Sequence, residues 1–136
     1  MYKSPDYDYE QLSFVNFNTT CGLQLDPNNE WIRISKNLPW RSWEALYAVM
    51  FPSPTGNVAK PCRMVMGSLI IQLRMGYTDR DLVEQILQNP YYQFFIGLES
   101  FQHNAPFNPS SKSVGFSSFS STNPRPLFLF FVFKSL

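Results

Sequence analysis

Asp79 and Asp81 stand two residues apart in a helix-forming stretch, and neighbouring carboxylates are what acid–base or metal-assisted chemistry requires. On a helix, however, residues two apart point about 200° away from each other, so the pair does not converge on one ion. Thr78, three residues before Asp81, is instead a variant of the capping box, and Asp79 in the first turn suits the helix dipole. His103, the one histidine, lies in a polar stretch with no nucleophile pattern near it. Cys21 and Cys62 have forty residues between them, whereas structural zinc needs four Cys/His ligands in close pairs. No Gly-x-Ser-x-Gly elbow or phosphate-cradling glycine loop occurs. No catalytic constellation, metal or cofactor is expected. Nothing demands a disulfide, so a reducing compartment is the default.

The bases are more informative. Residues 1–30 carry a net charge of −4, residues 31–80 a net +5, residues 81–110 a net −3, and residues 111–136 have three bases and no acid. The central block, with Arg33, Lys36, Arg41, Lys60, Arg63, Arg74 and Arg80, is where a polyanion would bind; the other reading is that these are solvated helix faces. Trp31, Trp40 and Trp43 interleave with Arg33, Lys36 and Arg41. Such aromatics can stack nucleic-acid bases, but at helical spacing they read first as core.

Short helices must position these groups. Asn28 or Asn29 can cap a helix carrying Trp31, Ile32 and Ile34. A second follows Pro39, with Trp40, Trp43, Leu46, Tyr47 and Met50 at three- and four-residue steps, and Pro52, Pro54 and Gly56 end it. Pro61 opens a third, apolar on every side from Met64 to Met75, hence buried, with Gly67 and Ser68 admitting a close neighbour and Gly76 as its stop. After Thr78 comes a helix with Leu82, Val83, Ile86 and Leu87 inward and Arg80, Glu84, Gln85 and Gln88 outward. Pro90 opens a last short segment, Tyr91 to Ile96, closed by Gly97. Residues 61–97 fit a helix-turn-helix or a generic αα-hairpin.

With 136 residues, 44% hydrophobic and 15% charged, the chain has room for one all-α domain of four or five short helices. A net charge of +1 excludes a globally basic nucleic-acid coat. The N-terminus lacks the apolar core of a secretory signal. The longest apolar run, Leu127 to Phe133, is seven residues against the about 20 that span a bilayer, so no membrane association and a cytoplasmic location are expected.

The order of segments is itself a signature. Phe14-Val15-Asn16-Phe17, Leu25-Asp26-Pro27-Asn28, Trp31, Leu38-Pro39-Trp40, Gly56, Met64 to Ile71, Gly76 to Asp81, Val83 to Ile86, Asn89-Pro90-Tyr91-Tyr92-Gln93-Phe94-Phe95-Ile96-Gly97-Leu98 and Pro106 to Ser110 occur in one sequence order. Together they resemble the N-terminal domain of InsH-type (IS-five-like) bacterial insertion-sequence transposases. The resemblance implies a helical domain that precedes a ribonuclease-H-like domain holding an Asp-Asp-Glu triad, whose carboxylates bind divalent metal for strand cleavage and joining. That domain would begin well after Ser110, so no triad residue maps onto this sequence and no catalysis is expected of it.

The expected organisation is a flexible arm at 1–13, the helical domain at 14–110 and a tail at 111–136. Six of the 13 phenylalanines and seven serines fall in the tail, where the family pattern would continue into an Arg/Lys-bearing helix. The bias reads as a frameshift near codon 111; a genuine Ser/Phe-rich module is the alternative. Leu127 to Phe133 is aggregation-prone in either case.

The functional expectation is DNA binding in transposition, at insertion-sequence ends, without catalysis. Arg33, Lys36, Arg41, Lys60 and Arg63 are the expected phosphate contacts, and Arg80, Gln85 and Gln88 the groups that reach base edges if residues 61–88 form a helix-turn-helix. The second reading is a helical module that docks on or inhibits full-length transposase, and a third is a non-functional relic. No small-molecule ligand is expected.

Overall fold

The computed structural model describes residues 2–3, 17, 22–49 and 60–107. Five α-helices follow one another: α1 (Glu30–Asn37), α2 (Trp40–Val49), α3 (Cys62–Met75), α4 (Asp79–Gln88) and α5 (Pro90–Phe95). The protein is all-α, as its periodicities predict. The expected tail at 111–136 and most of the expected arm at 1–13 lie outside the described residues.

Local chemistry sets each boundary. The Asn29 side chain accepts from Trp31 N–H at 2.9 Å and starts α1. Thr78 Oγ1 accepts from Asp81 N–H at 3.2 Å and starts α4, whose first turn carries Asp79 and Asp81. Asn89 caps α5 through Tyr91 N–H at 2.9 Å, with Pro90 in the first turn where its missing N–H costs nothing. Gly76, at φ 71°, ends α3 in the left-handed region and donates to the Gln72 carbonyl.

α3 and α5 lie at the centre: α3 packs against α2, α4 and α5, while α5 also packs against α1 and α4. The three tryptophans are core, not a stacking platform. Trp31 meets Tyr92 and Phe95 edge-on at 5.2 and 5.0 Å, and Trp40 meets Trp43 and Phe95 at 5.5 and 5.6 Å. Such T-shaped pairs add to area burial because ring edges and faces carry opposite partial charge. A second cluster joins Phe17, Leu25 and Ile32 to Phe94.

Gly67 is buried where α3 crosses the end of α5. A Cβ there would lie 3.2 Å from both Cα and Cγ2 of Ile96. That bears out the close approach read from the sequence. α3 is less uniformly buried than expected: Leu73 and Met75 in its last turn are about half exposed.

Candidate nucleic-acid interface

The eight side chains expected to meet DNA divide into three groups. Arg33 and Lys36 lie three residues apart on α1 and are exposed, and Arg41 is exposed in the first turn of α2. A spacing of three puts Arg33 and Lys36 on one helix face. Only Leu38 and Pro39 separate α1 from α2, and Trp40 Nε1 ties the junction by donating to the Ser35 carbonyl at 2.9 Å. The corner is therefore tied by a buried indole, and its three bases are exposed. Lys36, in the last turn of α1, also suits the negative end of that helix.

The second group is on α4. Arg80 and Gln88 are exposed and Gln85 is half-buried. The same helix carries Asp79, Asp81 and Glu84, all exposed. Asp79 Oδ1 accepts from Gln72 Nε2 at 2.7 Å across the three-residue turn between α3 and α4. The surface of α4 is thus of mixed sign.

The third group is corrected by the structure. Arg63 is 2% exposed. Its Nε and Nη2 donate to the carbonyls of Phe95 and Phe94 at 3.1 and 3.2 Å, and its guanidinium lies 4.9 Å from the Trp40 ring centroid and 5.4 Å from that of Phe94. Arg63 satisfies the Phe95 carbonyl at the end of α5, shares the Phe94 carbonyl with the Gly97 N–H, and places its charge at the negative pole of that helix. It cannot reach a phosphate. Lys60, half-buried, donates from Nζ to the Pro106 carbonyl at 3.1 Å. Arg74 pairs with Glu30 across α3 and α1 and lies over Trp31, its guanidinium 5.9 Å from the ring centroid.

Sequence reasoning missed the polar groups that work inside the molecule. Gln93 is fully buried and bonds the backbone of Gln102. Tyr2, read as part of a flexible arm, packs edge-on against Tyr47 at 4.9 Å and donates to Glu44 Oε1 at 2.8 Å. Burial, and then the Glu44 carboxylate, push the Tyr2 phenol well above its usual range; burial does the same to Tyr47. The neighbouring Cys62 thiol is pushed up to about 12, by burial first and the Glu44 charge second. It is a neutral core group and no nucleophile at ordinary pH. Among the described residues no group of three or more His, Cys, Asp or Glu side chains could hold a metal ion. No helix among them is long and apolar enough to cross a membrane.

Residues 20–114 match the family model described as Transposase domain (DUF772). The chain belongs to this transposase-domain family. The chain is 30% identical over 87 residues to the uncharacterized protein ORF8 in the nfe locus of Rhizobium meliloti. That stretch is 64% of this chain and 42% of the relative, so the chain spans less than half the length of the curated relative it matches. No solved structure matches. The transposase-domain match takes in all five helices and every one of the eight expected DNA contacts.

Proposed function

We propose that this transposase domain binds DNA in transposition, at insertion-sequence ends of the InsH type, and that it contributes no catalytic group of its own. The observation that carries the reading is the family match over the helical bundle, together with three exposed bases at the α1–α2 corner. Arg33, Lys36 and Arg41 neutralise phosphates there and set the register of the domain on the duplex. Arg80, Gln85 and Gln88 of α4 are the candidates for base edges, since Arg and Gln present donors that pair with purine edges in the major groove. Asp79, Asp81 and Glu84 on the same helix repel phosphate, so α4 contributes discrimination more than affinity. Cleavage and joining belong, in this reading, to the ribonuclease-H-like part of a transposase, and the Ser/Phe-rich residues 111–136 to a frameshift.

A second reading has one observation in its favour. Leu46 and Val49, three residues apart on α2, are 56% and 76% exposed. An apolar pair on one helix face suits docking onto another part of a transposase, and a free domain of this kind would titrate the whole enzyme. The Arg33→Ala/Lys36→Ala double variant separates the two. Its affinity for an element-end duplex falls at least about tenfold if two phosphate contacts are lost, while co-purification with full-length transposase is unchanged. Unchanged DNA affinity with lost co-purification would reverse the order of the two readings.

A further inference from the structure

Residues 98–107 form no helix, and Glu99 and Gln102 to Ala105 are exposed, yet the segment is tied to the bundle at both ends. At the near end, the Gln93 carboxamide makes both bonds that a neighbouring strand would make. Its Oε1 accepts from Gln102 N–H at 2.8 Å and its Nε2 donates to the Gln102 carbonyl at 2.9 Å. Leu98 N–H reaches the Gln93 carbonyl at 3.0 Å. At the far end, Lys60 Nζ holds the Pro106 carbonyl, and Phe107 packs against the main core. Lys60 is itself held, because its carbonyl accepts from Tyr47 Oη at 3.1 Å. A cavity of about 290 Å³ lies between this segment and Pro61 and Met64. Leu98, Phe101 and Phe107 pack against the two core clusters, and the polar ties add to that packing the bonds that set the segment's register. Gln93 is buried with its amide fully engaged, which is how a buried amide avoids an uncompensated desolvation cost.

We propose that residues 98–107 are a strap with two fasteners, Gln93 and Lys60, that fixes the position and direction in which the chain arrives at Pro106 and Phe107. Lys60 then serves as a fastener and not as a phosphate contact. Phe107 is thereby held in a set place on the bundle that carries the α1–α2 corner. The inference stands whether or not that corner binds DNA.

The test uses the full chain and three variants. Gln102→Pro removes one donor from an exposed residue, Lys60→Met removes the other fastener, and Gln93→Leu removes the carboxamide at similar volume. Amide exchange reads Gln102 directly, and brief chymotrypsin digestion reads cleavage after Phe101 and Phe107. Each variant is expected to raise strap cleavage about tenfold, the loss that follows from one hydrogen bond, with tryptophan emission unchanged. Gln93→Leu should also speed exchange at Gln102 by a similar factor. If Gln93→Leu fails to fold, the two surface variants decide. Wild-type exchange at Gln102 as fast as in an unstructured peptide would overturn the proposal, and so would cleavage unaltered by Gln102→Pro or by Lys60→Met. If Lys60→Met lowers DNA affinity while leaving the strap closed, the lysine is a phosphate contact after all.

Discussion

Arg63 and Arg33 are the same residue type thirty positions apart, and their surroundings assign them opposite work. Arg63 ties α3 to the end of α5 through two carbonyls and two aromatic faces, while Arg33 stands in solvent. Truncating Arg63 to Ala takes the guanidinium from the buried Phe95 carbonyl and from two aromatic faces, while the Phe94 carbonyl keeps the Gly97 N–H, a loss of about 2–4 kcal/mol in denaturant unfolding. Arg33→Ala should stay within about 0.5 kcal/mol of the parent. The assignment of Arg63 was partly legible in the sequence. Arg63 falls in the first turn of a strongly apolar helix, but Arg74 in the last turn of the same helix is exposed, so apolarity alone does not say which arginine is buried. What could not be read was the partner, because Phe94 and Phe95 lie some thirty residues on. Titration belongs to this scale too. Cys62 ionises near 9 when unfolded and near 12 when folded, so the folded state keeps a proton that the unfolded state releases. Its contribution is complete below pH 9 and lost as pH rises towards 12. Tyr2, Tyr47 and Tyr92, all raised by burial, act in the same direction at higher pH. The melting temperature should therefore fall from about pH 9 upward, and fall less steeply in Cys62→Ala.

Element boundaries were the most legible feature, because each depends on residues within three positions of it. Asn29, Thr78, Asn89, Pro90 and Gly76 all occupy the cap or stop positions that their chemistry predicts. The burial of Trp31, Trp40 and Trp43 followed from their helical spacing. Packing between elements was legible only at Gly67, where a glycine inside a strongly apolar helix signals a close neighbour. Gly67→Ala gains about 1 kcal/mol in helix propensity but drives its methyl against the backbone of Ile96, an overpacking cost of about 1–3 kcal/mol. The net expectation is a loss of about 1 kcal/mol by chemical denaturation. An unchanged or raised midpoint would mean that α5 can move away from α3. The strap was not legible: its ties span nine residues at one end and forty-six at the other, and no periodicity reports a side chain that bonds a distant backbone.

At the scale of the whole molecule, charge distribution matters more than total charge. The chain carries a net +1, so an affinity for DNA has to come from a local surface and not from a general attraction. With Arg63 buried and Lys60 tied to Pro106, three of the proposed phosphate contacts remain, at the α1–α2 corner: Arg33, Lys36 and Arg41. Three contacts predict that log affinity falls with log salt at a slope of about −2.7, against about −4.5 for the five read from sequence. A salt titration on an element-end duplex distinguishes these values, and a slope near zero would sink the phosphate assignment altogether.

The meeting of Tyr2, Tyr47, Lys60 and Pro106 has a mechanical consequence. Tyr2 rests on the Tyr47 ring, Tyr47 holds the Lys60 carbonyl, and Lys60 holds Pro106, so both flanks of the bundle are moored on one small patch. A pull applied between the two flanks would load these moorings one after another, as a zipper is loaded, and would not shear the helices past each other. The flanks would peel away at low force while the tryptophan-lined interior stayed intact, leaving a domain that yields at its edges before its centre.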